Sequence, residues 1–197
     1  MWVRLMAILL GIVFFITGCN SLISQFFGTH KLRVYTMEEA VANGIGDADY
    51  IRLTNAWQPG DYIVVPPRNA ADKPILIFPL LSADQLKQAE SGEVVQPGII
   101  AWTKNFSMDC DKDGTCAPRV ALDAEGILRD LSKDKNKSHL LPPAKYQLPE
   151  QVNYLEIGRH PLAWYWNLLM LVGGMGLAVF IEGRAQKVRK QQRQQGF

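Results

Sequence analysis

Two long runs of apolar residues bracket the sequence, and a polar stretch separates them. The first run extends from about Val3 to Leu22 and the second from Leu162 to Ile181. Each has close to the roughly 20 residues that an α-helix needs to cross about 30 Å of hydrocarbon. The pattern therefore predicts two transmembrane helices, 1–27 and 161–182, with a globular domain between them.

Basic residues beside the two runs predict their orientation. Arg4 is the one charged side chain up to Leu22, and the second run holds none. The residues after the second run contain Glu182 and five cations, Arg184, Lys187, Arg189, Lys190 and Arg193. Cationic residues that flank a membrane helix are retained on the cytoplasmic side. We therefore expect an inner-membrane protein with both termini in the cytoplasm and residues 28–160 in the periplasm.

The formal net charge of +2 is unevenly distributed along the chain. Residues 28–160 hold 15 Lys and Arg against 18 Asp and Glu, a net of −3, whereas the two ends hold 6 basic residues against 1 acid. A mildly acidic domain is a poor match for a polyanion, so we expect no nucleic-acid binding by it. The basic tail, 183–197, is an orientation signal that can also attract anionic lipid.

Cys19 offers a second interpretation of the first apolar run. The segment Ile16-Thr-Gly-Cys19 resembles the lipobox of bacterial lipoproteins, which implies cleavage before Cys19 and a lipid attached to it. Against this, only one Arg precedes the run, Ser21–Phe27 stays apolar where a polar tether is usual, and a lipoprotein needs no second membrane helix. The sequence favours an uncleaved anchor, with lipidation of Cys19 as the alternative.

Cys110 and Cys116 flank a polar turn, Asp111-Lys-Asp-Gly-Thr115. Two nearby cysteines usually pair in an oxidising compartment. Strand-like residues lie on both sides, at 98–106 and 119–122, so the pattern predicts a β-hairpin whose tip is closed by a disulfide. The spacing differs from the two-residue spacing of thioredoxin-like redox sites, so we expect a structural bridge.

The same turn resembles the start of a calcium-binding loop. Asp109, Asp111 and Asp113 alternate along the chain, and Gly114 stands at the sixth position of the loop. The twelfth position holds Val120, where a bidentate Glu belongs. Weak calcium binding by the three carboxylates is therefore an alternative, and we expect no other cofactor.

The polar stretch predicts one small α+β domain, mostly antiparallel, with two or three short helices. Two capping-box patterns, Thr36 with Glu39 and Ser82 with Gln85, begin helices that end at Gly44 and Gly92. Strands are predicted at 31–36, 49–54, 62–65, 74–79 and 154–157, a last short helix at 124–131 and a loop at 133–145. The strand at 74–79 is expected either to lie at a sheet edge or to end at Pro79.

A minor part of the chain resembles known membrane proteins. The segments 50–56, 61–64 and 77–82 resemble a pattern in uncharacterised bacterial proteins that have two transmembrane helices and an extracytoplasmic domain. The layout is also distantly similar to the membrane part of mitochondrial ubiquitin ligases with a GIDE domain. Those ligases need a cytosolic RING, and no cysteine follows Cys116, so the resemblance implies no ligase activity.

We recognise no catalytic constellation in the sequence. His30, His139 and His160 are scattered along the chain, and neither a nucleophile motif nor a phosphate-binding loop is present. We therefore expect a protein that is not an enzyme.

The second apolar run carries small residues that let another helix approach closely, at Gly173, Gly174, Gly176 and Ala178. The partner is the first helix through Gly11, a second copy of the chain, or another membrane protein. We therefore expect an accessory or adaptor subunit of a membrane assembly. The alternative is an extracytoplasmic sensor domain that binds calcium or a small ligand.

Overall fold

The computed structural model describes residues 2–67, 69, 71–129 and 145–195. These residues form an α+β protein with a mixed seven-stranded sheet and five helices. The chain divides into two compact units, one made of Met1–Gly28 with Leu162–Phe197 and the other of Thr29–Pro161. We call the first unit the helix pair and the second unit the domain.

The helix pair consists of α1 (Trp2–Phe27) and α5 (Trp164–Gln195). The segments Leu5–Phe27 and Trp164–Lys187 are long and apolar enough to cross a membrane. Only 11% of the apolar window in each helix is buried, and large apolar side chains such as Val13 are exposed.

The seven strands of the domain have the order β1-β2-β6-β7-β5-β4-β3. Their bounds are β1 Arg33–Thr36, β2 Tyr50–Gln58, β3 Ile63–Val65, β4 Ile75–Leu80, β5 Ile99–Thr103, β6 Val120–Leu128 and β7 Asn153–Ile157. The pairs β1–β2 and β5–β7 are parallel, and the other four pairs are antiparallel. The predicted fold class and the predominance of antiparallel pairing are therefore confirmed.

The sheet curls so that the ends of β2 and β4, which are not neighbours in the strand order, come into contact. Trp57 of β2 and Leu81, just after β4, exchange both backbone hydrogen bonds at 2.8 and 2.9 Å. The strands β2, β6, β7, β5 and β4 therefore form a closed circuit, with β1 and β3 outside it.

Three short helices accompany the sheet: α2 (Met37–Asn43), α3 (Ala83–Glu90) and α4 (Asp109–Lys112). Both predicted capping boxes are present, because each cap hydroxyl accepts from the third backbone N–H and the third side chain accepts from the cap N–H. Gly44 and Gly92 follow the first two helices with φ of 75° and 84°, which is the left-handed region that glycine tolerates.

Two apolar clusters cover opposite faces of the sheet. Met37, Ile51, Leu53 and Leu155 belong to the first cluster, and each is 0% exposed. The second cluster, which includes Trp102, lies on the other face. Both faces of β4 and β5 are therefore buried, which explains their continuous apolar sequence.

The prediction that the strand at 74–79 lies at a sheet edge or ends at Pro79 is wrong, because β4 lies between two strands and continues to Leu80. Pro79 lies inside β4, which pairs with β5 on one side and with β3 on the other. Leu81 directs its N–H toward Trp57, so the nitrogen of Pro79, two residues earlier, faces the same side. The partners of β3 end at Ile77, so no ladder hydrogen bond is lost at Pro79.

Two further predictions are contradicted by β6. The expected helix at 124–131 is wrong because residues up to Leu128 continue the strand, in which Ala124 belongs to the first cluster and Gly126 is buried. The expected hairpin between 98–106 and 119–122 is also wrong, because β7 lies between β5 and β6. A Cβ atom at Gly126 would overlap the carbonyl oxygen of Glu156 on β7, so this crossing requires glycine.

Most of the loop predicted at 133–145 lies outside the described residues, as does His139. Lys145 forms a turn, and Tyr146 then pairs with Val95 in an isolated parallel bridge.

Candidate functional site

The helix pair is closest where glycines meet. A Cβ atom on Gly11 would lie 2.9 Å from the carbonyl oxygen of Gly174, and one on Gly174 would lie 2.5 Å from that of Gly11. A Cβ atom on Gly18 would lie 2.6 Å from both the Asn167 oxygen and the Leu171 nitrogen. Small residues therefore allow backbone-to-backbone contact at these two places in the interface.

The four small residues of the second apolar run divide between two faces of α5. Gly174 is buried, and Ala178 lies against Gly11 of α1. Gly173 and Gly176 are exposed, and a Cβ atom on either would meet no atom of the described residues within 4 Å. Of the three possible partners, the first helix therefore occupies one face, while Gly173 and Gly176 leave open space on another.

A polar side chain is enclosed between the two helices. Asn167 is 1% exposed, and neither its Nδ2 nor its Oδ1 atom has a hydrogen-bond partner among the described residues. Gly18 packs against its backbone. Cys19, the next residue of α1, is partly buried and carries a free thiol.

The domain carries a polar cluster on the face of β2 and β6 that lies opposite the first apolar cluster. The Tyr50 hydroxyl donates to Oε1 of Glu125, and its oxygen lies 2.8 Å from Nδ1 of His160. Nε of Arg52 donates to Oε2 of Glu125 at 2.7 Å. The register of β2 with β6 brings these side chains together, because Arg52 and Glu125 are direct cross-strand partners. Tyr50 lies two residues from Arg52 and therefore on the same face of the sheet.

The cluster displaces two pKa values away from neutrality. Burial raises the pKa of Tyr50 to about 12, and the hydrogen bond to Glu125 acts in the same direction. The hydrogen bond from Tyr50 lowers the pKa of Glu125, and Arg52 lowers it further. A general acid or base works best with a pKa near the operating pH. The pair of Tyr50 and Glu125 is therefore better suited to holding strands together than to proton transfer.

A second acidic residue stands beside this cluster on β7. Glu156 is 9% exposed and accepts from Arg159 at 3.2 Å with both carboxylate oxygens. Nη1 of Arg129 lies 3.5 Å from Oε2 of the same residue. Burying a carboxylate is costly unless it is paired, so Arg159 and Arg129 offset part of the cost of burying Glu156.

Cys110 and Cys116 are joined by a disulfide, with 4.7 Å between their Cα atoms. Cys110 lies in α4, and Gly114 takes a φ of 66° in the turn between the two cysteines. The bridge therefore closes an exposed loop between β5 and β6 rather than a hairpin tip.

The three carboxylates of the proposed calcium loop are exposed and differently engaged. Asp109 accepts from Nζ of Lys112 at 3.0 Å. The Asp111 carboxylate stands near Tyr62, whose pKa is raised by burial first and then by this charge. Asp113 ends α4. Within the described ranges, no group of three or more His, Cys, Asp or Glu side chains is placed to hold a metal ion.

The remaining polar residues near the start of the domain form separate contacts. Asp47 pairs with Arg33 at 2.8 Å. Asp49 accepts from the Thr29 hydroxyl at 2.5 Å, and Nε2 of His30 lies 3.4 Å from it. Asp47 and Asp49 are therefore held by different side chains.

Sequence reasoning missed the polar cluster. Its members Tyr50 and Glu125 are 75 positions apart, and Tyr50 and His160 are 110 apart. Comparison of the chain with protein-family models, with curated proteins and with solved structures finds no match.

Proposed function

We propose that this chain is a two-pass inner-membrane protein that is not an enzyme and that serves a membrane assembly as an accessory or adaptor subunit. In this proposal α1 and α5 cross the membrane with both termini in the cytoplasm. The domain, Thr29–Pro161, is then held on the periplasmic side by helices at both of its ends.

The observation that carries the proposal is the packing of the helix pair. Gly11, Gly18 and Gly174 face inward, while large apolar side chains of both helices point outward and are exposed, among them Leu9, Val13, Val172 and Val179. A contiguous apolar surface of this kind is unfavourable in water and favourable in lipid. The charge distribution of the sequence then favours cytoplasmic termini.

The same packing supports retention of α1. Gly11 and Gly18, which contact α5, both precede Cys19. Cleavage before Cys19 would remove these contacts and leave Asn167 without the helix that encloses it. The intact mass of the native protein tests this point: we expect a mass that includes Trp2–Gly18, and a lipid-modified chain that begins at Cys19 would contradict it.

The adaptor role is supported by the open face of α5. Gly173 and Gly176 offer space to a helix other than α1. The pKa displacements in the Tyr50 and Glu125 pair also suit a structural role better than an acid–base role.

Blue-native electrophoresis after extraction in mild detergent tests the assembly. We expect the chain in a complex larger than the monomer, and replacement of Gly173 and Gly176 by Ile should reduce that complex. A matched control is Met175→Ile, because Met175 is 50% exposed on the same helix but lies about 100° or more around its axis from Gly173 and Gly176. A monomer that co-purifies with no other protein contradicts the adaptor role.

A further inference from the structure

The contacts of the helix pair define an antiparallel register. Gly11 stands opposite Gly174, Gly18 stands opposite Leu171, and the Gln25 amide donates to the carbonyl of Leu162. The same register places Trp2, where α1 begins, opposite the turn 183–187 of α5. Because α5 continues to Gln195, it extends beyond α1 by about two to three turns.

Three cations form one stripe along this end of α5. Arg184, Lys187 and Lys190 are exposed and follow one another at intervals of three residues. Residues three apart are neighbours on a helix surface, about 4.5 Å apart along the axis. Glu182 is the one acid in the segment from Glu182 to Phe197. We call these three residues the cation stripe.

The stripe begins where the apolar span ends. Trp164, Tyr165 and Trp166 are exposed at the start of α5, as suits the headgroup level of one leaflet. Arg184 lies 20 residues after Trp164, about 30 Å along a helix and close to the thickness of the hydrocarbon. The Arg184 guanidinium lies 5.0 Å from the ring centroid of Phe180, so its charge stands at the edge of the apolar segment.

Distances along the helix then place the other two cations. Lys187 lies about 4.5 Å and Lys190 about 9 Å beyond Arg184. The headgroup layer of one leaflet is about 5–7 Å deep, and charges interact across a Debye length of about 8 Å. Flexible lysine stems bring the ammonium groups back toward the phosphates.

From this arrangement we infer that the cation stripe binds the phosphate groups of anionic phospholipids in the adjoining leaflet. The inference rests on the proposed function only in that α5 must span a membrane. It adds a ligand class and three ligand-binding residues to the helix pair, and it needs no partner protein.

Native mass spectrometry of the full chain in mild detergent tests the inference. The probes are phosphatidylglycerol and phosphatidylcholine with the same acyl chains. We expect the wild type to retain phosphatidylglycerol preferentially, and millimolar inorganic phosphate to leave that retention unchanged. Replacement of Arg184, Lys187 and Lys190 by Gln should lower the preference at least about tenfold, since each surface cation contributes roughly a fivefold factor.

A matched variant controls for the change in total charge. Replacement of Lys87, Lys104 and Lys112 by Gln removes three exposed cations from the domain and should leave the preference unchanged. Equal phosphatidylglycerol retention by the wild type and by the Arg184, Lys187 and Lys190 variant overturns the inference, as does full displacement by inorganic phosphate. Carbonate extraction separates the two proposals: release of the wild-type chain from membranes contradicts the spanning helices themselves.

Discussion

The helix pair and the domain pack their apolar residues in opposite ways. In the domain Met37, Ile51 and Leu53 are 0% exposed, and the polar groups lie outside them. In the helix pair Gly11 and Gly174 lie inside, while side chains such as Val13 and Val179 lie outside and are more than half exposed. The domain therefore has the burial pattern of a protein that folds in water. The helix pair has the pattern expected of helices in lipid, where close van der Waals contact replaces the hydrophobic effect between helices.

The buried carboxylate of the domain and the buried amide of the helix pair differ in their partners. In the domain Glu156 is nearly buried and is held by two arginines, Arg129 and Arg159. In the helix pair the amide of Asn167 is enclosed without a hydrogen-bond partner among the described residues. The buried carboxylate of the domain is therefore paired, whereas the buried Asn167 amide of the helix pair and the buried Nε1 atom of Trp102 in the domain have no hydrogen-bond partner in the part of the chain that the structure describes.

The largest expected effect comes from Gly126→Ala in the domain. The new Cβ atom overlaps a backbone carbonyl on β7, which cannot rotate away, so the free energy of unfolding should fall by about 3 kcal/mol. Urea titration of the full chain, followed by tryptophan fluorescence, measures the loss. Gly98→Ala is the control, because a Cβ atom there meets nothing within 4 Å. Equal stability of the two variants would show that β6 and β7 are not in this register.

The corresponding substitution in the helix pair is Gly174→Ala. Its Cβ atom would meet the Gly11 oxygen at 2.5 Å and the Phe15 nitrogen at 2.7 Å, so the helices must separate at a cost of about 2 kcal/mol. Titration with sodium dodecyl sulfate, followed by helical circular dichroism, detects this change.

Gly173→Ala is the matched control for the helix pair, since it changes the neighbouring residue on the open face. The thermal unfolding of the domain should be the same in both variants. If Gly173→Ala weakens the pair as much as Gly174→Ala does, the glycine interface is assigned to the wrong face of α5.

A smaller, pH-dependent effect is expected for Tyr50→Phe. Loss of one hydrogen bond to a charged group lowers the stability of the domain by about 1.5 kcal/mol near neutral pH. The pKa of Tyr50 is raised to about 12 in the folded chain, so this contribution is present below the ordinary pKa of 10.0 and is lost as the pH rises toward 12. The free energies of unfolding of wild type and variant should therefore converge above pH 10.

Glu125→Gln tests the same hydrogen bond at acidic pH. The pKa of Glu125 is lowered from 4.5 in the folded chain, so its contribution is present above pH 4.5 and is lost as the pH falls below it. A difference between wild type and either variant that does not change with pH would argue against the hydrogen bond between Tyr50 and Glu125.

The smallest expected effect is that of calcium on the domain. Asp109 is engaged by Lys112, and the loop lacks a twelfth-position carboxylate, so millimolar calcium should move the melting temperature by less than about 1 °C. Differential scanning calorimetry of the full chain measures this shift. A larger shift that disappears in Asp109→Asn would restore the calcium-binding alternative.

Local signals made part of the fold predictable from sequence. The capping boxes at Thr36 and Ser82 depend on residues three apart, and the pairing of Cys110 with Cys116 depends on residues six apart. The segment 124–131 was not predictable in this way. Its alanine, leucine and glutamate residues favour a helix locally, but pairing with β2 and β7 imposes a strand on the part that the structure describes.

The polar cluster was not predictable from local sequence either, because it depends on the pairing of distant strands. Tyr50, Glu125 and His160 come from β2, β6 and the segment after β7, so only the strand order brings them together. The glycines of the second apolar run were recognisable as small residues, but their division between two faces depends on the register with α1.

Cysteine labelling in intact cells tests the central claim most directly. Ser91→Cys marks the domain and Gln191→Cys marks the end of α5, each in a Cys19→Ala background, and both positions are exposed. A membrane-impermeant thiol reagent that passes the outer membrane should label the cysteine at position 91 in intact cells and the cysteine at position 191 only after the inner membrane is permeabilised. Labelling of both positions in intact cells, or of position 191 alone, would contradict a helix pair that crosses the membrane twice and holds the domain on the periplasmic side.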